Sequence, residues 1–412
     1  MAHTPQTQSE LQQQVCQLHA EATPWLPAGL GSRLDWGPAV AAGSVVLSSR
    51  GLAGIRDHSA NDFTVTVAAG TPLVVLQEAL AHHRQWLSVD LPWGSAETSI
   101  GGLIARGLSG GYRQRHMGLR DQLLGIQLLR SDGVLARAGG RVVKNVAGYD
   151  LMRLLTGSWG SLALITEVTL RTQPIPPQRR TLVIQGPLAV LEPLGRWLLN
   201  SSLSPERIDL WSAPLAMAAG LNDQPLLLLG LASIDATTLD EQLACIAAKA
   251  RELEPGPGPG PELELSTPDP EAAAALLAFG RGAVPGGDAD PAGGADWLLR
   301  LAVPPSQLWT MLASSELQGL PLTMASGSGI GDGWASAAAL PRYRVEALRR
   351  RCQQLGGYLT VLRQPEPAAG NAPLPAWLDA PSRPLIEALK RQFDPKQQLA
   401  RGRLPGVAAP LG

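Results

Sequence analysis

Three glycine clusters break up the first 160 residues, so this part of the chain cannot be built from long uninterrupted helices. The first is Gly29-Leu30-Gly31-Ser32, preceded by Pro27-Ala28. The second is Ser99-Ile100-Gly101-Gly102-Leu103-Ile104-Ala105, with Thr98 ahead of it and Ser109-Gly110-Gly111 behind. The third pairs Gly148-Tyr149-Asp150 with Gly157-Ser158-Trp159-Gly160. Taken singly, each reads as an ordinary turn. Glycine also lets backbone N–H groups converge on phosphate oxygens without a side chain in the way. Together the clusters point to a nucleotide or cofactor domain of small α/β units. Neither the G-x-G-x-x-G fingerprint after a strand nor a G-x-x-x-x-G-K-[ST] loop is present.

Apolar periodicity fills the gaps between the turns. Leu11, Val15 and Leu18 recur at helical spacing over Ser9 to Glu21, and Val45 to Leu47 is a short strand. Phe63, Val65 and Val67 alternate with Thr64 and Thr66, the pattern of a half-buried strand. Thr71 is placed to cap a helix that begins at Pro72 and turns Leu73, Leu76 and Leu80 inward. Leu124 to Leu129, the Ser131-Asp132-Gly133 turn and Val134 to Ala136 read as a hairpin. Asp150 stands where it would cap Leu151 to Leu155, and Leu162 to Leu170 runs as a strand into Pro174-Ile175-Pro176-Pro177, where proline stops it. A domain boundary is expected near residue 175.

Beyond that boundary the rhythm changes. Strands are expected at 181–184, 208–211, 226–231, 297–303, 320–325 and 358–362. Helices are expected at 188–200, 239–252, 306–316 and 342–355. Two β-α-β-β-α-β cycles pass through this order and call for an antiparallel sheet with helices on one face. The segments near 255–262 and 282–294, rich in Pro and Gly, read as mobile linkers. A last helix, 384–393, precedes a polar tail, and the C-terminal segment 366–412 that holds both is expected to pack back on the first domain.

Bulk properties exclude other classes. Lys plus Arg is 34 against 35 for Asp plus Glu, an even balance that gives no footing for nucleic acid. Charged residues make up only 17% of the 412, beside 45 Gly and 35 Pro, which suits a turn-rich α+β chain of two or three domains. Cys16, Cys245 and Cys352 are far apart, so they read as free thiols in a reducing compartment and not as a metal or iron–sulfur site. The polar start from Met1 to Glu10 and the lack of an apolar run of about 20 residues imply a cytoplasmic protein, with membrane association only through partners.

One longer string is far more specific. Gly139-Gly140-Arg141-Val142-Val143-Lys144-Asn145-Val146-Ala147-Gly148-Tyr149-Asp150-Leu151 continues through Thr156-Gly157-Ser158-Trp159-Gly160-Ser161-Leu162 to Ile165-Thr166-Glu167-Val168. Arg120-Asp121-Gln122-Leu123-Leu124-Gly125 and Asp132-Gly133 stand upstream of it. This string resembles the FAD-binding segment of the vanillyl-alcohol-oxidase, or PCMH-type, flavoprotein superfamily, and most closely the FAD-binding subunits of its glycolate oxidase branch. The resemblance spans residues 22–175 and returns at Phe393-Asp394-Pro395 and Arg401-Gly402-Arg403.

The resemblance implies an α+β protein: a two-lobed FAD-binding domain over 1–175, an antiparallel cap over 176–365, and the C-terminal segment. It implies that Ala28, Gly29, Leu30, Gly31 and Ser32 hold the pyrophosphate together with Thr98, Ser99, Ile100, Gly101 and Gly102. Asn145, Gly148, Tyr149 and Asp150 would lie along the cofactor, and Ile165 would meet its adenine or ribose part. The first loop has neither His nor Cys, so FAD is expected to be non-covalent. Ala325-Ser326-Gly327-Ser328-Gly329-Ile330 stands where related hydroxy-acid dehydrogenases carry histidines and has none, so no metal site is expected and no general base is named. The tail carries Ala400-Arg401 where the family has Asn-Pro.

His82 and His83 read as the exposed end of a helix, His116 as a loop or partner contact with a carboxylate clamp as its rival reading, and Arg349-Arg350-Arg351 as a solvated helix face. Trp93 and Trp159 read as core or interface groups before cofactor-stacking ones. The implied function is an FAD-dependent oxidoreductase subunit acting on a 2-hydroxy acid such as glycolate, beside a homologous flavoprotein subunit and an iron–sulfur subunit. An electron-relay or scaffold subunit, a stand-alone FAD-linked D-2-hydroxy-acid dehydrogenase and a cofactor-free assembly protein stay open.

Overall fold

The structure, a computed structural model, describes residues 2–89, 98–140, 150–254, 263–282, 297–367 and 372–408. The N-terminal part holds two sheets. A three-stranded parallel sheet joins Ala2–His3, Val45–Ser48 and Trp25–Ala28, with Val45–Ser48 in the middle. The helix Gln8–Ala20 buries Leu11, Val15 and Leu18 against Trp25 and Leu47, one apolar residue per turn as its spacing requires.

The second sheet has five antiparallel strands in the order 55–59, 64–68, 164–171, 123–129, 135–139. The hairpin forms as expected: Leu129 pairs with Leu135 and Gly133 takes φ +81° in the Asp-Gly turn. Two local expectations fail. Thr64–Ala68 is buried on both faces, because Thr66 Oγ1 and Thr169 Oγ1 share a hydrogen bond of 2.9 Å across the ladder and need no water. Thr71 does not cap the next helix: Leu73–Ala81 has Pro72 at its N-cap, and Thr71 Oγ1 accepts instead from the Gly54 N–H at 2.8 Å.

The later part is one eight-stranded antiparallel sheet in the order 264–266, 178–185, 226–233, 207–211, 322–325, 330–335, 297–302, 358–363. Two β-α-β-β-α-β cycles are present, and they fuse where 207–211 pairs with 322–325. Helices 188–200 and 236–253 cover one half of one face, and helices 308–312 and 342–354 the other half. Expecting helices on that face alone is a correction. Val183, Trp211, Leu226 and Leu228 point the opposite way along their strands, and residues of helices 213–218 and 270–280 pack on them. Farther along that second face, Leu298 and Leu362 pack on Trp36 and Leu108, which joins the large sheet to the N-terminal part.

The C-terminal helix Arg383–Phe393 leads the chain back to the start of the molecule. Trp25 N–H donates to Gln398 O at 2.9 Å, and Ala400 N–H donates to Trp25 O at 2.8 Å. Lys390 Nζ, inside this junction, donates to Ser161 O, Asp394 Oδ2 and Leu399 O at 2.6–2.7 Å. Arg349 corrects another expectation. It is buried and donates to Pro375 O at 2.7 Å, because helix 342–354 turns it under the returning chain; Arg350 stays exposed. The 255–262 linker, nearly all of 282–294, and Trp93 lie outside the described residues.

Candidate cofactor site

The strand Trp25–Ala28 ends on the first glycine turn, and the helix Ile100–Arg106 brings the second cluster beside it. The approach is close enough that a Cβ at Gly29 would overlap Ser99 Oγ, and one at Gly101 would stand 2.8 Å from Ala69 Cβ. The turn is polarised by its neighbours. Ser48 Oγ donates to Gly29 O and Arg50 Nη2 to Leu30 O, both at 2.8 Å. The N–H groups of Gly29, Leu30, Gly31 and Ser32 donate to nothing among the described residues. Four uncommitted donors in succession, with two carbonyls pinned back, form an anion-binding concavity.

The second cluster behaves differently. Ile100 N–H donates to Thr71 O, Gly101 N–H to Ala69 O, and Gly102 N–H to its own cap, Ser99 Oγ, at 3.1 Å. These groups shape the cleft but have spent their donors.

Of the residues expected from sequence, Ala28 to Ser32, Thr98, Ser99, Gly101, Gly102 and Ile165 all line this one cleft. Ile100 does not; it is fully buried in the apolar core. Asp150 is not among the lining residues either: its carboxylate caps helix 151–155 through the Arg153 N–H and pairs with the Arg153 guanidinium at 2.7 Å. Asn145, Gly148 and Tyr149 lie outside the described residues.

Three arginines that sequence reasoning did not name as site residues complete the wall: Arg33, Arg106 and Arg403. Arg33 follows the first turn directly and donates to Thr98 Oγ1 at 2.7 Å. Arg106 ends the Ile100–Arg106 helix, donates through Nη2 to Arg33 O at 2.6 Å, and lies 3.9 Å over the Trp159 ring. Arg403 comes from the returning tail and is anchored on Leu34 O at 2.9 Å and on Trp36 O. Burial pushes Arg33 down to about 10, with Asp35 opposing, and pushes Arg403 down to about 10 as well. Arg106 is held well below the ordinary arginine range, first by burial and then by Arg403 and Arg33. Only Arg33 was readable beside the turn; the others reach it through the fold.

Trp159 divides this cleft from a larger cavity of about 740 Å³ between the N-terminal part and the eight-stranded sheet. Its backbone takes φ +57°, its N–H donates to Ala105 O at 2.8 Å, and its ring meets Trp377 edge-on at 5.0 Å. Arg106 and Trp159 line both spaces. Arg300, Arg349, Tyr358 and Thr360 line the larger one from the opposite side, where Asp379 is the lone carboxylate among the described lining residues.

Elsewhere on the interface, His116 is neither a loop contact with solvent nor a clamp. Its Nε2 lies 3.2 Å from Glu206 Oε1, and Arg179 Nε meets Glu206 Oε2 at 3.1 Å. Burial acts against the Glu206 carboxylate, but His116 and Arg179 together hold it below the ordinary glutamate range. The Ala325–Ile330 segment is a hairpin turn whose Gly327 abuts the Gln114 side chain across the interface. Among the described residues no grouping of three or more His, Cys, Asp or Glu side chains stands ready to hold a metal ion, and no helix is long and apolar enough to cross a membrane. Burial pushes the Cys352 thiol up to about 12.

Comparison with known proteins agrees with this geometry. Residues 1–139 match the FAD binding domain family. Glycolate oxidase subunit GlcE of Escherichia coli is 34% identical over 185 residues, which are 45% of this chain and 52% of that protein. D-2-hydroxyglutarate dehydrogenase of Xanthomonas citri pv. viticola is 32% identical over 183 residues, 44% of this chain and 39% of that one. Glycolate oxidase subunit GlcD of Bacillus subtilis is 32% identical over 170 residues, 41% of this chain and 35% of that one. The matches thus span about half or less of these relatives' own length. Among solved structures, an alkyldihydroxyacetonephosphate synthase superposes with a TM-score of 0.65 at 14% identity, over 96% of this chain and 74% of that one. At that identity the likeness is one of fold, α+β.

Proposed function

With an FAD binding domain over residues 1–139 as premise, we propose that the chain binds FAD non-covalently and is the FAD-binding subunit of a complex that oxidises a 2-hydroxy acid, glycolate to glyoxylate in the first instance. The observation that carries the substrate class is the charge of the inter-lobe cavity: Arg106 and Arg349 line it beside Arg300, which is already paired with Asp332, and Asp379 is the lone carboxylate among its described lining residues. Asp379 is itself committed to the Ala408 N–H and to Arg383, both at 2.7 Å. A space lined this way favours a small carboxylate.

Flavin supplies the hydride-accepting ring of such chemistry when bound. The chain's own part is to bind and orient. The Gly29–Ser32 donors take the anionic linker of the cofactor. Trp159 and Arg106 form the partition between the linker cleft and the cavity. The lining residues of the two lobes hold the acid and exclude water. The non-covalent reading is supported by a cleft lining without His or Cys among the described residues. Asn145, Gly148, Tyr149 and Asp150 remain assigned along the cofactor on the sequence resemblance, Asp150 only if it does more than cap its helix. A homologous subunit is a proposed partner on the subunit names of two relatives, and an iron–sulfur subunit is proposed on the sequence resemblance alone.

A second reading, an electron-relay or scaffold subunit, is favoured by the lobe interface, where buried charges answer one another: Arg207 with Asp209, Arg300 with Asp332, Glu206 with His116 and Arg179. One experiment separates the two. The purified chain is loaded with FAD, its flavin absorbance is recorded, and glycolate, D-lactate or D-2-hydroxyglutarate is added without oxygen. Bleaching by one acid is the expected result. Flavin that stays oxidised with every acid until a partner subunit is added assigns the relay role. A chain that takes up no flavin at all sinks both readings.

A further inference from the structure

We propose that Arg33, Arg106 and Arg403 form a three-guanidinium clamp for the diphosphate of the bound dinucleotide, with the Gly29–Ser32 N–H groups fixing its register. The proposal rests on the FAD reading above and adds to it the source of the binding charge. Glycine turns offer partial charges only. The second cluster offers fewer donors than its sequence implies, because the N–H groups of Ile100, Gly101 and Gly102 are already bonded within the protein. The remaining attraction has to come from side chains, and three cations line the same cleft.

Two of the three, Arg106 and Arg403, keep a donor position open to an acceptor. Among the described residues, Arg106 Nη1 and Arg403 Nε are buried with no hydrogen-bond partner. The carboxylate that acts on all three is Asp35, which is half exposed and also shared with Arg363 at 3.8 Å. Among the described residues, three guanidinium groups share that one carboxylate, a surplus of positive charge that suits the doubly charged diphosphate diester. Like charges drawn together out of water repel unless a counter-charge is bound. Arg33 and Arg403 line the glycine cleft and not the inter-lobe cavity, so a substrate acid in that cavity does not account for them. Guanidinium forks suit phosphate oxygens in pairs, and Trp159 stacking fixes the plane of Arg106.

The test uses the full chain stripped of flavin, with inorganic pyrophosphate and FAD as probes. Pyrophosphate is expected to raise the melting temperature and to compete with FAD, and FAD affinity is expected to fall steeply with salt. Arg106→Gln is expected to weaken FAD by roughly ten- to a hundredfold, the loss of one charged hydrogen-bonding partner, and to abolish pyrophosphate protection. Arg106→Lys, which keeps the charge without the fork, falls between. If Arg106→Gln does not fold, wild-type pyrophosphate protection and salt dependence decide the matter, and their absence overturns the clamp. FAD binding that Arg106→Gln and Arg33→Gln change by less than about twofold, with no pyrophosphate protection, also overturns it and leaves the FAD reading intact. Pyrophosphate protection in a chain that never takes FAD keeps the clamp and removes the FAD reading.

Discussion

Two buried cations, Lys390 of the returning C-terminal helix and Arg106 of the N-terminal part, differ in how they are answered. Lys390 Nζ has three donor positions and three acceptors, Ser161 O, Asp394 Oδ2 and Leu399 O. Burial pulls it below the ordinary lysine range while Asp394 pulls it back. Arg106 has its Nη2 on Arg33 O, but Nη1 has no partner, and its charged neighbours Arg403 and Arg33 make its position worse. A saturated cation fastens the chain to itself. An unsaturated one stores unfavourable free energy that a ligand can relieve. The contrast separates framework from site without reference to any relative.

The strongest way to break that contrast is Lys390→Met. Removal of one partner from a buried pair costs about 3–5 kcal/mol, because Asp394 stays behind in the core. Thermal unfolding of the flavin-free chain should show the loss, with Asp394→Asn similarly damaging. FAD affinity per folded molecule should change little. A large affinity loss at unchanged stability would put Lys390 on the ligand side of the division.

Gly29→Val is the mirror experiment. The new side chain overlaps Ser99 Oγ and pushes into the cleft, so FAD affinity should fall by at least about a hundredfold, near 2.7 kcal/mol. Stability of the flavin-free chain should move by less than that of Lys390→Met. Equilibrium dialysis with FAD beside a melt gives both numbers. Unaltered binding would remove the first turn from the site.

These positions were unequally legible. The turn at Gly29–Ser32 was readable because its residue types carry the physical message, and so was the hairpin at Asp132-Gly133. The strand-and-helix order of the eight-stranded sheet was readable from apolar periodicity, apart from strands 264–266 and 330–335, which are short or rich in glycine. Helices 213–218 and 270–280 were missed because their alanine-rich stretches carry little polar contrast. Arg106 gave no local signal, and Arg403 stood out only as part of the Arg401-Gly402-Arg403 stretch, with nothing to tie it to the first turn. Almost 300 residues separate the two arginines, and long-range contacts such as the parallel bridge between Trp25 and Leu399 draw the tail to the first turn. Arg349 misled for the same reason: three arginines in a row look solvated until a distant segment covers one.

Glu206 tests the framework at the lobe interface. Its folded-state pKa lies below the ordinary value of 4.5 because His116 and Arg179 outweigh burial. The stability it contributes is therefore present above the unfolded glutamate pKa and lost as pH falls through the folded one. Unfolding free energy should decline below about pH 4.5 in the wild type. Glu206→Gln should cost about 2 kcal/mol at neutral pH and flatten that part of the profile. An unchanged acid limb in the variant would assign it to other carboxylates.

Asp150 sharpens the contrast where the two kinds of evidence pull apart. Sequence resemblance sets it along the cofactor. The fold gives its carboxylate two occupations already, the Arg153 N–H at 3.1 Å and the Arg153 guanidinium at 2.7 Å, on a side chain almost half exposed. A cap of this kind is worth about 1 kcal/mol, and the exposed pair adds little. Asp150→Ala should therefore lower the melting temperature slightly, and Asp150→Ser, which still caps, should restore most of it. A residue that only caps leaves FAD affinity within about twofold in both variants. A tenfold or greater loss of FAD affinity that Asp150→Ser fails to restore, at nearly native stability, would mean that the carboxylate reaches the cofactor after all.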